Sequence, residues 1–208
     1  MTRNPPVVFV VDDDAKLRES LFWLLESANY TVEAFESVAD FQEAYHADRP
    51  GCLLLDVCMP GTTGLDLQQQ LARQPHHPPI VFLTGQGEVE FAVRAMKLGA
   101  VDFLEKPFVA DQLLNSIDQA LKLDDEQRRR RDELAMLRAR LEQLSDRQRQ
   151  VLGMVVEGMQ SREIADRLKL SCRTIENCRA TILRKMHVES TIELVRLMLA
   201  LDESPAHA

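Results

Sequence analysis

The chain has 208 residues, 45% of them apolar and 28% charged, with a net charge of −8. That length holds one large or two small domains, and the composition is that of an ordinary globular chain. No apolar run approaches the roughly 18 residues needed to span a bilayer, so no membrane association is expected. Met1 to Pro6 show no signal-peptide h-region, and the apolar stretch that follows is short and runs straight into acids. The expected location is the cytoplasm. The four cysteines, at 52, 58, 172 and 178, lack the C-x-x-C spacing of a zinc or redox site. They read as small, reduced core or surface residues.

Charge is unevenly spread. Residues 1–122 carry 9 basic and 18 acidic residues, residues 123–144 carry 6 and 6, and residues 145–208 carry 10 and 9. The front is acidic and the back is mildly basic once the acidic tail is left aside. That asymmetry directs any nucleic acid to the C-terminal part.

Five short apolar runs pass through residues 7–105: Val7–Val11, Tyr30–Phe35, Cys52–Leu55, Ile80–Leu83 and Val101–Leu104. Helical segments at about 15–28, 38–46, 64–73, 88–98 and 110–122 separate them. Strand alternating with helix predicts βαβ units and a parallel sheet. VVFVV and CLLL are apolar on both faces, as buried parallel strands are. Ligands in such sheets bind beyond the carboxyl ends of the strands. There the sequence places Asp12, Asp13 and Asp14 after the first run and Asp56 after the third. Thr84 follows the fourth run, and Lys106 the fifth.

Taken singly, each group has an ordinary reading: a solvated acidic turn, a helix cap, a surface lysine. Together they suit phosphoryl transfer. Magnesium takes hard oxygen ligands: Asp13 and Asp56 can bind it directly and Asp12 through water, and the Cys58 backbone carbonyl lies close by. A metal-flanked carboxylate can accept a phosphoryl group as an acyl phosphate, whose charge Lys106 and Thr84 can meet.

The strings VVDDD, LLLDVCMP, FLTG and FLEKPF resemble the receiver domain of two-component response regulators over about residues 5–122, and GAVDFLEKPF resembles its FixJ-like branch. The resemblance implies a doubly wound five-stranded sheet of flavodoxin-like order 2-1-3-4-5. It also implies Asp12 and Asp13 as the acidic pair with Mg²⁺, Asp56 as phosphoacceptor, Thr84 as switch hydroxyl and Lys106 as phosphoryl contact. Phe103 takes the aromatic switch position, and Lys106–Pro107 is a cis bond. Aspartate-phosphorylating hydrolases also place an Asp after a buried strand, but carry a second Asp two residues on; Cys58 stands there. The expectation is a slow phosphoryl acceptor, not a turnover enzyme.

Residues 123–143 lack Gly and Pro and are rich in helix formers. They read as a long linker helix whose Leu134, Leu137, Leu141 and Leu144 form a short apolar seam able to give weak dimer contacts. The Arg128–Arg131 run reads first as a solvated face and second as phosphate contacts.

After residue 144, Ser145 to Gln148 and Ser190 to Glu193 have the pattern of capping boxes, and Gly158 that of a helix end. Four helices are predicted, at about 146–157, 161–168, 172–186 and 190–200. The short turn at Lys169 to Ser171 is the mark of a helix-turn-helix. On a helical wheel Ile175, Cys178, Ile182 and Met186 share one stripe, with Arg173, Asn177, Ala180 and Arg184 opposite. The stretch from Leu144 to Ser190 resembles the LuxR/NarL-type helix-turn-helix. That implies base readers at Glu176, Asn177 and Ala180 and phosphate-facing positions at Thr174, Arg179 and Lys185. Cys178 departs from the histidine common there.

The whole layout, a 1–122 receiver, a 123–143 helical linker and a 144–208 DNA-binding domain, resembles FixJ-type regulators. It implies a transcription factor, an activator, phosphorylated on Asp56 by a sensor histidine kinase. Homodimerisation, promoter DNA binding and contact with RNA polymerase follow, with aromatic-hydrocarbon catabolism as the regulated process. The alternatives are a phosphate-independent DNA-binding regulator with an unused receiver, and an aspartyl-phosphate phosphohydrolase.

Overall fold

A computed structural model describes residues 5–74, 76–85 and 89–202. The extreme N-terminus read above, the expected helix start at 88 and the tail after 202 lie outside them. The chain divides into two compact units between Arg128 and Arg129.

The first unit alternates β1 (Val7–Val11), α1 (Ala15–Ser27), β2 (Thr31–Phe35), α2 (Val38–Ala44), β3 (Gly51–Asp56), α3 (Gly64–Leu71), β4 (Ile80–Thr84), α4 (Val89–Lys97) and β5 (Asp102–Glu105). The helix α5 (Ala110–Glu142) follows. The sheet is parallel throughout, in the order β2-β1-β3-β4-β5. β1, β3 and β4 are buried along their whole length, which is why their sequences are apolar on both faces. One face carries Phe41 of α2, Leu67 and Leu71 of α3 and Ala95 of α4. The other carries Leu21 and Leu25 of α1 with Leu113, Ile117 and Ala120 of α5. Chain order reverses between β1 and β3, so the strand ends open there into a crevice.

β3 and β4 each run one residue past the expected apolar run, because Asp56 and Thr84 still pair in the sheet, Asp56 with Leu83 and Thr84 with Glu105. Gly51, at the start of β3, is required by space: a Cβ there would lie 2.0 Å from the Val7 carbonyl oxygen. The Lys106–Pro107 bond is cis.

α5 merges the expected fifth helix and the linker into one element. Arg128, expected on a solvated face, is only 9% exposed. Its Nε donates to Asp124 at 2.7 Å, and its terminal nitrogens donate to the carbonyls of Ala47, Asp48 and Arg49. Asp124 also accepts from the Gly51 N–H at 2.9 Å. This clamp closes the three carbonyls before β3 and carries the packing of the first unit six residues past the expected end at 122.

The second unit holds α6 (Asp146–Val156), α7 (Ser161–Leu168), α8 (Cys172–Met186) and α9 (Thr191–Asp202). Ser145 caps α6 through a full capping box with Gln148. Gly158 follows the end of α6 at φ +86°, a left-handed conformation that glycine adopts without a Cβ penalty. The core joins Val151, Leu152, Val155, Ile164, Ile175, Ile182, Met186 and Leu194. Leu137 and Leu144 are buried in that core and Leu141 packs on it. The apolar seam of the linker is thus used inside this unit. Among the described residues no helix is long and apolar enough to cross a membrane.

Candidate functional site

The strand ends of the first unit gather the predicted groups. Asp12, just beyond β1, is fully buried, Asp56 is 5% exposed and Thr84 is 2% exposed. Asp13 beside them is exposed. One ligand oxygen from each of Asp12, Asp13 and Asp56 falls within 4.8 Å of the others. The Lys106 backbone is held by its N–H donating to Thr84 O at 2.7 Å. Its Nζ then donates to Asp12 Oδ2 at 2.7 Å and to Asp56 Oδ1 at 2.8 Å. Asp12 Oδ1 accepts from the Asp14 N–H at 2.9 Å, and Asp14 in turn caps α1. Arg18, which the sequence did not single out, donates to the Asp12 carbonyl at 2.6 Å. Its position one turn after the Asp14 cap was the available signal.

Burial raises the Asp56 carboxyl above its ordinary range; the Lys106 contacts oppose this, and the Asp12 and Asp13 charges add to it. Burial alone would lower Lys106, but its bonds to Asp12 and Asp56 outweigh this and raise it. One ammonium, bonded to Asp12 and Asp56, stands beside three acids, so carboxylates outnumber it. Three hard carboxylate oxygens in this space fit a divalent cation. Thr84 Oγ1 donates to the Gly85 carbonyl at 3.1 Å. Phe103 is half-buried, with its ring centroid 6.4 Å from that of Phe82. Cys58 lies exposed two residues past Asp56, where it offers no carboxylate for acid–base work.

In the second unit α7 ends at Lys169 in the left-handed conformation, and Ser171 caps α8 by accepting from the Thr174 N–H at 3.1 Å. A three-residue turn between helices of this kind makes a helix-turn-helix. Arg173, Thr174, Glu176, Asn177, Ala180 and Arg184 are all exposed on α8. Arg179 and Lys185 are half-buried and engaged within the unit. Arg179 donates to Met159 O at 3.5 Å and Thr191 Oγ1 at 3.3 Å, and Lys185 donates to Gln143 O at 2.8 Å.

Comparison with known proteins agrees with both units. Residues 8–118 match the response regulator receiver domain, and residues 142–198 match the bacterial regulatory proteins of the luxR family. The chain is 39% identical over 204 residues to the response regulator protein TodT of Pseudomonas putida strain F1, covering 98% of this chain and 90% of that one. It is 42% identical over 199 residues to the transcriptional regulatory protein FixJ of Azorhizobium caulinodans, covering 96% and 94%. The solved structure of the response regulator StyR superimposes with a TM-score of 0.84 at 40% identity, covering 94% of this chain and 99% of that one. The chain therefore belongs to the FixJ/NarL-type response regulators, a two-component transcription regulator that joins a receiver domain to a LuxR-type helix-turn-helix.

Proposed function

We propose that Asp56 accepts a phosphoryl group from a sensor histidine kinase and that this charge change switches α8 into use as a DNA reader. The observation that carries the reading is the single ammonium of Lys106 bridging Asp12 and Asp56 beside a third acid. The Asp56 carboxylate attacks phosphorus; an O–P bond forms as the P–N bond of the donor phosphohistidine breaks, and the imidazole leaves. Asp13 and Asp56 would hold Mg²⁺ directly, with Asp12 through water and the Cys58 carbonyl completing the set. The ion, when bound, shields the carboxylates from the incoming phosphoryl charge. Lys106 then follows the new phosphoryl oxygens and leaves its contact with Asp12 weakened, while Thr84 turns from Gly85 toward the same oxygens. The space Thr84 vacates lets Phe103 move inward, and a local electrostatic event becomes a change of packing.

On the output side, Arg173, Glu176, Asn177, Ala180 and Arg184 form the face offered to the major groove of promoter DNA. Asn pairs with adenine and Glu accepts from cytosine, each worth about 1–3 kcal/mol of discrimination. We assign the receiver to residues 1–122, the helical linker to 123–143 and the reader to 144–208, with Arg128 of the linker packed on the first unit and Leu137 on the second. The regulator acts in the cytoplasm as a phosphorylation-dependent homodimer that activates transcription through RNA polymerase. We read its target genes as those of aromatic-hydrocarbon catabolism. Asp56 is an acceptor and not a turnover nucleophile, because Cys58 stands where a hydrolase needs a second acid.

The test adds Mg²⁺ and a small acyl phosphate to wild type and Asp56→Asn, then measures mass, oligomeric state and DNA binding at fixed salt. A phosphoryl group gained by wild type alone, followed by tighter DNA binding, is the expected result. Equal DNA binding by both proteins, with or without donor, would replace this reading with a phosphate-independent regulator.

A further inference from the structure

Two helix C-termini meet in the DNA-binding unit. α5 ends at Glu142 and α8 at Met186. The last carbonyls of any helix lack intrahelical partners and carry partial negative charge. Here each helix supplies the cation that caps the other. Lys185, in the last turn of α8, donates through Nζ to Gln143 O at 2.8 Å, just beyond α5. Arg140, in the last turn of α5, donates to Met186 O at 3.1 Å, the final residue of α8. The same Nζ donates to Gln148 Oε1 at 2.9 Å, and that oxygen also accepts from the Ser145 N–H at 3.0 Å to complete the cap of α6. Lys185 and Arg140 thus tie three helix ends, and Arg149 of α6 adds donors to Glu142 O and Leu144 O. Leu137 (6% exposed), Leu144 (2%) and Met186 (0%) lie in the core that the clamp closes.

We propose that Lys185 and Arg140 are positioning residues for the recognition helix, and that Lys185 neutralises no DNA phosphate. The proposal rests on the reading of α8 as the DNA reader and deepens it. Burial separates the two roles. Arg184 is exposed on the outer face with Arg173, Asn177 and Ala180, whereas its neighbour Lys185 is half-buried, turned about 100° round the helix. A Lys185 that swung out to a phosphate would strip Gln143 O and Gln148 Oε1 of their shared donor. Arg140 falls outside the stretch 142–198 matched by the luxR family, so the machinery that sets the reader begins in what reads as linker. The clamp also fixes the tilt of α8 against α6, on which the reach of Asn177 and Glu176 into a groove depends.

The test uses the full-length chain as wild type, Lys185→Met, Arg140→Met and Arg184→Met. The probe is a fluorescent duplex selected by the wild-type protein from a random-sequence pool, titrated over a range of salt below each variant's melting temperature. Losing a phosphate contact lowers the slope of log affinity against log salt by about 0.9, and Arg184→Met, which removes a cation exposed on the outer face of α8, is the comparison for loss of a charge on the DNA side. Lys185→Met and Arg140→Met are expected to lower affinity about tenfold, the weight of one hydrogen bond to a charged group, with the slope unchanged. Lys185→Arg and Arg140→Lys keep the charge and should recover most of the loss. A slope lowered by Lys185→Met would overturn the proposal, and so would wild-type affinity in a variant that only melts earlier. If a methionine variant does not fold, the glutamine variant at that position takes its place. If wild type selects no duplex, the DNA reading fails by itself, and the clamp is then read by amide exchange in the last turn of α8. Exchange there should quicken in Arg140→Met, and an unchanged rate would sink the clamp.

Discussion

Asp56→Asn should make the protein more stable at neutral pH in the absence of divalent cations. Asp56 is 5% exposed and Asp12 fully buried, and with Asp13 their ligand oxygens crowd within 4.8 Å. Two unit charges at such a separation repel by about 3 kcal/mol at an effective dielectric of about 20. Lys106 offsets much of this, since it reaches both Asp12 and Asp56. Asparagine keeps the shape and an acceptor for Lys106, and it leaves the ammonium paired one to one with Asp12. The net gain expected is about 1 kcal/mol, or about 3–5 °C in the midpoint for a unit of this size. The sign with pH follows from the raised Asp56 pKa. A raised carboxyl pKa means the folded state holds the proton more tightly than the unfolded chain. Wild type therefore loses stability as pH rises from the ordinary carboxylate range through the folded pKa. The advantage of asparagine grows as pH rises through that pKa and fades as pH falls through it, where Asp56 itself becomes neutral. Trp23, the one tryptophan of the chain, lies in α1, so its fluorescence follows the receiver unit alone during melting in EDTA. Adding Mg²⁺ should narrow the gap, because a ligand that binds only the folded state stabilises by mass action and wild type is the better binder. An asparagine variant less stable than wild type in EDTA, or a gap that is the same at acid and neutral pH, would refute the reasoning.

Gly64→Ala should cost about 1–3 kcal/mol in urea denaturation, because a Cβ there would lie 2.6 Å from Asp56 O and 2.9 Å from the Phe82 ring. A fully stable alanine variant would show that this approach is not tight. Arg128→Met should cost about 3 kcal/mol, since it removes the cation paired with buried Asp124 and the donors to three loop carbonyls. Arg131→Met, whose side chain is 32% exposed, should change stability by no more than about 0.5 kcal/mol, and equal losses at the two sites would deny the clamp. Tyr30 is pushed up to about 12, by burial first and then by its bond to Asp118. Ultraviolet titration should show it ionising well above the ordinary tyrosine range, and Asp118→Asn should bring it partly back. The neutral phenol is favoured by folding, so its contribution holds below pH 10 and is lost as pH rises through the folded value.

How much of this was legible in the sequence depends on how local each feature is. The strands were legible because VVFVV, CLLLD and IVFLT are buried on both faces and have no helical period. The site was legible because the parallel order puts every strand's carboxyl end at one edge; once Asp12, Asp56, Thr84 and Lys106 end their strands, they converge without further information. Boundaries slipped by a residue where a polar group still pairs in the sheet, as Asp56 and Thr84 do. Hydropathy marks where apolar side chains end, whereas a strand ends where its ladder ends, and Asp56 and Thr84 are buried polar groups still inside it. The exposed face of α8 was equally readable, since Arg173, Asn177, Ala180 and Arg184 follow the helical repeat.

The roles of single cations were not legible, and the arginines and lysines of α5 and α8 show why. In RRRR four identical side chains differ only in their angle round the helix. Arg128 faces the carbonyls at 47, 48 and 49, residues about 80 positions away in the chain. Asp124 four residues earlier is a local hint, but only the loop decides that the pair is buried. Lys185 and Arg179 have the same difficulty: their partners, Gln143, Gln148, Met159 and Thr191, come from other helices. A basic residue beside a DNA-reading face can serve a phosphate or a carbonyl, and the sequence prices both alike. In this structure Lys185 already donates to Gln143 O and Gln148 Oε1, whereas a phosphate is met only when DNA arrives. In a switch whose output depends on the setting of one helix, a cation spent on a helix end sharpens sequence reading, and one spent on phosphate adds only salt-sensitive affinity.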